Sequence, residues 1–72
     1  MDRQKVIGEN LKRARGRRSC EEIAKKADIS VSAVRMYESG ERIPRDEVKI
    51  RLSRVLGVSL VELFYPDVFF KH

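Results

Sequence analysis

The sequence is poor in the residues on which most catalytic and metal sites depend. It contains one histidine, one cysteine and no tryptophan among 72 residues. His, Cys and carboxylate residues show no metal-ligand spacing, and no glycine-rich phosphate loop is present. A single cysteine excludes an internal disulfide and is typical of a protein from a reducing compartment. We therefore predict a protein that is not an enzyme, with no catalytic residue, no metal and no cofactor.

Long apolar runs are also missing. No stretch approaches the roughly 18 apolar residues of a membrane-spanning helix, and the polar residues 1–5 do not resemble a signal peptide. With 38% charged and 42% hydrophobic residues, the composition favours a compact domain over a disordered chain. We expect one domain over residues 1–72, located in the cytoplasm and without a membrane partner.

Positive charge is concentrated in the first quarter of the chain. Residues 1–18 contain seven Lys or Arg and two acidic residues, whereas residues 19–72 contain nine of each sign. The net charge of +5 therefore arises in the first segment. A basic block favours a polyanionic partner, because the release of counterions drives such binding. A solvated helix face with no partner is the alternative interpretation.

Apolar residues at helical spacing, bounded by capping residues, predict five helices and no strand. The first three helices are bounded by Asp2 and Gly16, by Ser19 and the corner at Asp28, and by Ser30 and Gly40. The fourth should begin near Arg45 or Asp46 and end at Gly57, and the fifth runs from the cap Ser59 to Tyr65-Pro66. We expect an all-α fold, a compact five-helix bundle. The residues 66–72 form a tail, in which Phe69 and Phe70 either close the core or form a dimer patch.

The stretch 19–40 predicts two short helices joined by a tight corner. Ser19 and Glu22 have the spacing of a capping box, which satisfies backbone donors at a helix start. Asp28 tolerates the left-handed conformation that a corner needs. Val34 and Tyr37 lie one turn apart and face the core. Two helices joined in this way form a helix-turn-helix.

The chain resembles the DNA-binding domains of the Cro/phage-repressor type, the XRE family. The matching residues are Ser19, Glu22, Ile23, Ala24, Ile29, Ser30, Val34, Tyr37, Glu38, Gly40 and Pro44, followed by the segments 56–59 and 62–64. The resemblance implies a lambda repressor-like fold and a sequence-specific, double-stranded DNA-binding transcriptional regulator, repressor-like and homodimeric on DNA. A small-molecule ligand is not expected, since five helices use nearly the whole length. The chain departs from the family pattern at Asp28, usually glycine, at Cys20, often a phosphate-binding glutamine, and in a shorter link before Ser19.

The second motif helix is the predicted recognition helix. In this motif the residues near its N-terminus meet base edges in the major groove. The predicted base-contacting residues are Val31, Ser32, Ala33, Arg35 and Met36. Arg35 is the strongest candidate, because its guanidinium matches the N7 and O6 atoms of guanine. The alternative is that Arg35 is an ordinary solvated arginine.

Phosphate contacts are expected on both sides of this helix. The candidates are Arg17, Arg18, Cys20, Ser30, Ser39, Arg42 and Arg45. The resemblance also implies a structural ion pair between Glu38 and an arginine of the first helix, either Arg13 or Arg15. A second interpretation keeps the same fold but uses it to bind protein, as in an antirepressor or an antitoxin-like module. The basic block favours DNA over this alternative.

Overall fold

The computed structural model describes residues 2–69, and it is all-helical over that range. Its helices are α1 Arg3–Arg15, α2 Cys20–Ala27, α3 Val31–Ser39, α4 Asp46–Leu56, α5 Leu60–Phe64 and α6 Pro66–Phe69. The all-α class is thereby confirmed, but the described range contains six helices rather than the five predicted. Pro66 begins the additional helix, because the fixed φ of proline suits the first helical position. The expectation for Phe69 and Phe70 concerns side chains outside the described part of the chain.

Serine caps begin three of the helices, as predicted. Each hydroxyl oxygen accepts the backbone N–H three residues later: Ser19 from Glu22 at 3.0 Å, Ser30 from Ala33 at 3.0 Å and Ser59 from Glu62 at 3.1 Å. These bonds satisfy N–H groups that have no partner within their own helix. The predicted capping box is incomplete, because the Glu22 side chain accepts a hydrogen bond from Lys26 at 3.1 Å, one turn along α2, rather than from the backbone N–H of Ser19.

The corner between α2 and α3 is formed by Asp28 and Ile29. Asp28 is left-handed, with φ 57° and ψ 50°, which confirms the predicted conformation at the family's usual glycine position. Arg51 of α4 supports the corner from outside, since its Nη1 donates to the carbonyl oxygens of Ala27 at 3.0 Å and Asp28 at 3.3 Å. The sharp angle is therefore held by α4 as well as by local turn chemistry.

One apolar core joins α1 to α5. Its most buried large side chains are Ile7, Ile23, Leu52, Leu63 and Phe64. Val34 and Tyr37 of α3 are also buried, as their spacing predicted. The helix α3 is therefore anchored by one face and presents the other to solvent.

Gly8 allows α1 to lie directly against the backbone of α3. A Cβ atom at this position would lie 2.8 Å from the carbonyl carbon of Glu38 and 2.9 Å from the carbonyl oxygen of Tyr37. Both neighbours are backbone atoms and cannot rotate away. The close approach of α1 and α3 therefore depends on the absence of a Cβ atom at Gly8. No sequence pattern predicted a role for Gly8.

Within residues 2–69, none of the helices combines the length and apolar character needed to cross a lipid bilayer.

Candidate nucleic-acid interface

The exposed side of α3 carries part of the predicted base-contacting set. Ser32 and Arg35 are exposed, and Met36 is half-buried. Val31 and Ala33 are also half-buried, and both pack against the core. The face available to a partner is therefore centred on the two polar residues, with the apolar ones at its margin.

An ion pair joins α1 to α3, the predicted recognition helix. Arg15 Nε lies 2.7 Å from Glu38 Oε2, and Arg15 Nη2 lies 3.1 Å from Glu38 Oε1. The two side chains are only 19% and 11% exposed, and the hydrogen bond to Glu38 raises the pKa of Arg15. Of the two predicted alternatives, Arg15 makes this pair. Arg13 instead donates to Asn10 Oδ1 at 3.2 Å.

Cys20 lies beside this ion pair. Its Sγ is 4.0 Å from Glu38 Oε1, and the thiol, a weak donor, is half-buried. The side chain therefore lies toward the contact between α1 and α3. The backbone N–H of Cys20 is at the first position of α2, where helix donors without intrahelical partners can bind an anion.

Arg18 makes contacts that the sequence did not indicate. Its Nε donates to Arg15 O at 3.2 Å, its Nη1 to Val55 O at 3.2 Å and its Nη2 to Ala14 O at 2.9 Å. These carbonyls lie in the last turns of α1 and α4, whose negative dipole ends attract a cation. Arg18, predicted to contact phosphate, thus has its three guanidinium nitrogens engaged within the fold.

The remaining predicted phosphate contacts are exposed. Arg17 precedes α2, and Arg42 and Arg45 follow α3. None of these three arginines forms an ion pair within the described range 2–69. Ser39 is exposed and its hydroxyl donates to Met36 O at 3.1 Å, while the Ser30 hydroxyl caps α3. The structure thus places cationic side chains before α2 and after α3, on either side of the motif.

Glu21 is a neighbour of this surface that sequence analysis did not assign to it. Its Oε2 lies 3.5 Å from Arg35 Nη2, and both side chains are 65% exposed. The residue is in the first turn of α2, where an acidic side chain is explained by the helix dipole alone. The contact joins residues 14 positions apart across the corner, so local sequence patterns gave no signal for it.

The model of the Helix-turn-helix family matches residues 11–63, which include the whole motif. The chain belongs to this family. The match is to its Cro/phage-repressor type, the XRE family, which confirms the predicted resemblance. The family identifies the chain as a DNA-binding helix-turn-helix regulator. Comparisons with curated proteins and with solved structures give no significant match.

Proposed function

We propose that this helix-turn-helix protein binds double-stranded DNA sequence-specifically, as a homodimer, and acts as a repressor-like transcriptional regulator. The observation that carries the proposal is the exposed, firmly held face of α3 on which Ser32 and Arg35 lie. The protein acts without enzymatic activity and without a small-molecule effector, in the cytoplasm on the nucleoid. Its occupancy of DNA is set by its concentration and dimerisation.

Base reading is assigned to α3. Arg35 donates to guanine N7 and O6, and the Ser32 hydroxyl donates to or accepts from a neighbouring base edge. Val31, Ala33 and Met36 supply apolar contact at the edge of this face, of the kind that distinguishes a thymine methyl group. Support comes from the exposure of the two polar residues, since a major groove admits one face of a helix.

Sequence-independent binding is assigned to the cations that flank α3 and α2. Arg17, Arg42 and Arg45 are exposed and contact phosphates on the two sides of the groove. Their contribution arises from counterion release, so it falls as salt concentration rises. The exposed Ser39 and the backbone at the start of α2 add hydrogen bonds that position the protein without reading bases.

A second copy of the chain is the proposed occupant of an apolar surface on α4 to α6. Ile50, Val61 and Val68 are 44%, 40% and 60% exposed. Ile50 also lines one depression of the surface, together with Leu60, Tyr65 and the charged residues Asp46 and Lys49. A two-fold dimer would place its recognition helices roughly 34 Å apart, one turn of DNA.

Selection of bound duplexes from a random pool, followed by binding measurements, tests the proposed function. We expect one enriched, two-fold symmetric sequence. Arg35→Ala should weaken binding to that sequence by about 1–3 kcal/mol and relax the preference at one base pair. As a control, Arg42→Ala removes the same charge from a residue assigned to phosphate and should weaken enriched and scrambled duplexes alike.

Two results would count against this proposal. Equal weakening of both duplexes by Arg35→Ala would make Arg35 a phosphate contact. A pool without any enriched sequence would favour the protein-binding alternative.

A further inference from the structure

The contact between Glu21 and Arg35 places a negative charge on the surface assigned to DNA. Arg35 comes from the exposed side of α3 and Glu21 from the first turn of α2, with Nη2 and Oε2 3.5 Å apart. Of the five predicted base-contacting residues, Arg35 is the one with an ion pair in the described structure. Glu21 therefore contacts the residue whose side chain is best suited to bind a base edge.

Stability does not account for this contact. Both side chains are 65% exposed, and exposed ion pairs contribute little because water and salt screen them. The start of α2 is already stabilised by the Ser19 cap and by a second acidic residue, Glu22, which pairs with Lys26. A further carboxylate close to DNA also repels phosphate, so its presence has a cost for binding.

We propose that Glu21 is a specificity-determining residue that positions Arg35 for base reading and opposes its capture by phosphate. This inference rests on the proposed function. A guanidinium has five N–H donors, so one nitrogen can remain on the carboxylate while the others bind a base. Guanine N7 and O6 are neutral acceptors, whereas a phosphate carries a full negative charge that the Glu21 carboxylate repels. Glu21 therefore weakens non-specific binding more than it weakens specific binding.

The charges around Glu21 support this assignment. Arg35 is its direct partner, and Arg15 is close enough for the carboxylate to add a small upward contribution to the pKa of Arg15, whose main cause is the hydrogen bond to Glu38. The contact that fixes the direction of the Glu21 side chain is the one with Arg35 of α3. Glu22, in contrast, pairs along α2 itself with Lys26. Two adjacent carboxylates thus have different partners, which provides a matched control.

Glu21→Gln tests the inference on the enriched duplex and on a duplex changed only at the Arg35-dependent base pair. Removing the charge should strengthen binding to the changed duplex and lower the ratio of the two affinities by about tenfold, within the range that one bidentate arginine contact supplies. Glu22→Gln makes the same change of charge one residue away and should leave that ratio within about twofold. In an Arg35→Ala background, Glu21→Gln should no longer alter the ratio. Thermal unfolding of each variant verifies folding.

Three results would overturn the inference: an unchanged ratio in Glu21→Gln, an equal fall in Glu22→Gln, or a fall that persists without Arg35. These results can be distinguished from a failure of the proposed function. In that case the unmodified protein would show no preference between enriched and scrambled duplexes. A preference that is present but insensitive to Glu21 contradicts only the role of Glu21.

Discussion

Arg15 and Arg18 lie three residues apart, and both guanidinium groups donate to backbone carbonyls, but only Arg15 also binds a carboxylate. Arg15 binds the carboxylate of Glu38 on α3, and its Nη1 also donates to Arg18 O at 2.8 Å. Arg18 binds backbone carbonyls at the ends of α1 and α4. Both arginines belong to the basic block of residues 1–18, but their guanidinium groups are engaged within the fold. Fewer positive charges are therefore available to a polyanion than the sequence suggests. At the scale of single residues, the partner of a charged side chain decides its function.

Gly8→Ala should destabilise the protein by roughly 1–3 kcal/mol, the usual cost of overpacking. The added methyl would meet the α3 backbone at Glu38 and Tyr37, so α1 and α3 must separate. The direction of the change in stability is informative, because replacing a helical glycine with alanine otherwise stabilises a protein by roughly 0.5–1 kcal/mol. Urea unfolding measures the free energy of unfolding. Glu9→Ala, at the adjacent exposed position of α1, is the control. An increase in stability in Gly8→Ala would contradict the close packing of the two helices.

Helix ends could be predicted from the sequence where their chemistry is local. The Ser19, Ser30 and Ser59 caps and the left-handed Asp28 each depend on residues within about one turn. The contacts of Arg18 with α4 and of Glu21 with Arg35 join distant positions, and a single sequence contains no signal for them. The sixth helix was missed for a related reason, since Pro66 both ends α5 and begins α6. Of the candidate site, the helix α3 and the exposure of Arg35 were predictable from the sequence, but the neighbours of Arg35 were not.

Arg18→Ala and Arg17→Ala should separate structural capping from phosphate binding. Arg18→Ala removes hydrogen bonds from a charged donor and should lower the free energy of unfolding by about 1–3 kcal/mol. Arg17→Ala should leave stability within about 0.5 kcal/mol and lower the slope of log affinity against log salt by about one. Urea unfolding and a salt series on a scrambled duplex measure the two effects. If the two variants exchanged these outcomes, Arg18 would be the phosphate contact and its capping role would be refuted.

Across the whole molecule, two kinds of surface occupy different elements. The exposed polar residues assigned to DNA lie on α3, in the link before α2 and in the loop after α3. The exposed apolar side chains Ile50, Val61 and Val68 lie on α4, α5 and α6. A dimer formed through the apolar surface would bury residues other than those assigned to DNA.

Sedimentation with the enriched duplex should give two protomers per duplex at saturation. Ile50→Glu should reduce this to one, because an unpaired carboxylate at an apolar contact must be desolvated. Gln4→Glu is the control, since it adds the same charge at an exposed position of α1, outside the residues assigned to DNA and outside the apolar surface. It should keep the two-protomer stoichiometry. A single protomer per duplex for the unmodified protein would refute the dimer.

The position of the Arg18 guanidinium also bears on the order of folding events. Its bond to Val55 joins residues 37 positions apart, whereas the caps of α2 and α3 close over three residues. Contacts of long sequence separation carry a larger loop-closure cost, so the helix-turn-helix can form before α4 is bound to Arg18. An interaction that is absent from the folding transition state slows unfolding without changing the folding rate. We therefore expect the Arg18 contacts to form late in folding, so that Arg18→Ala raises the unfolding rate and leaves the folding rate nearly unchanged.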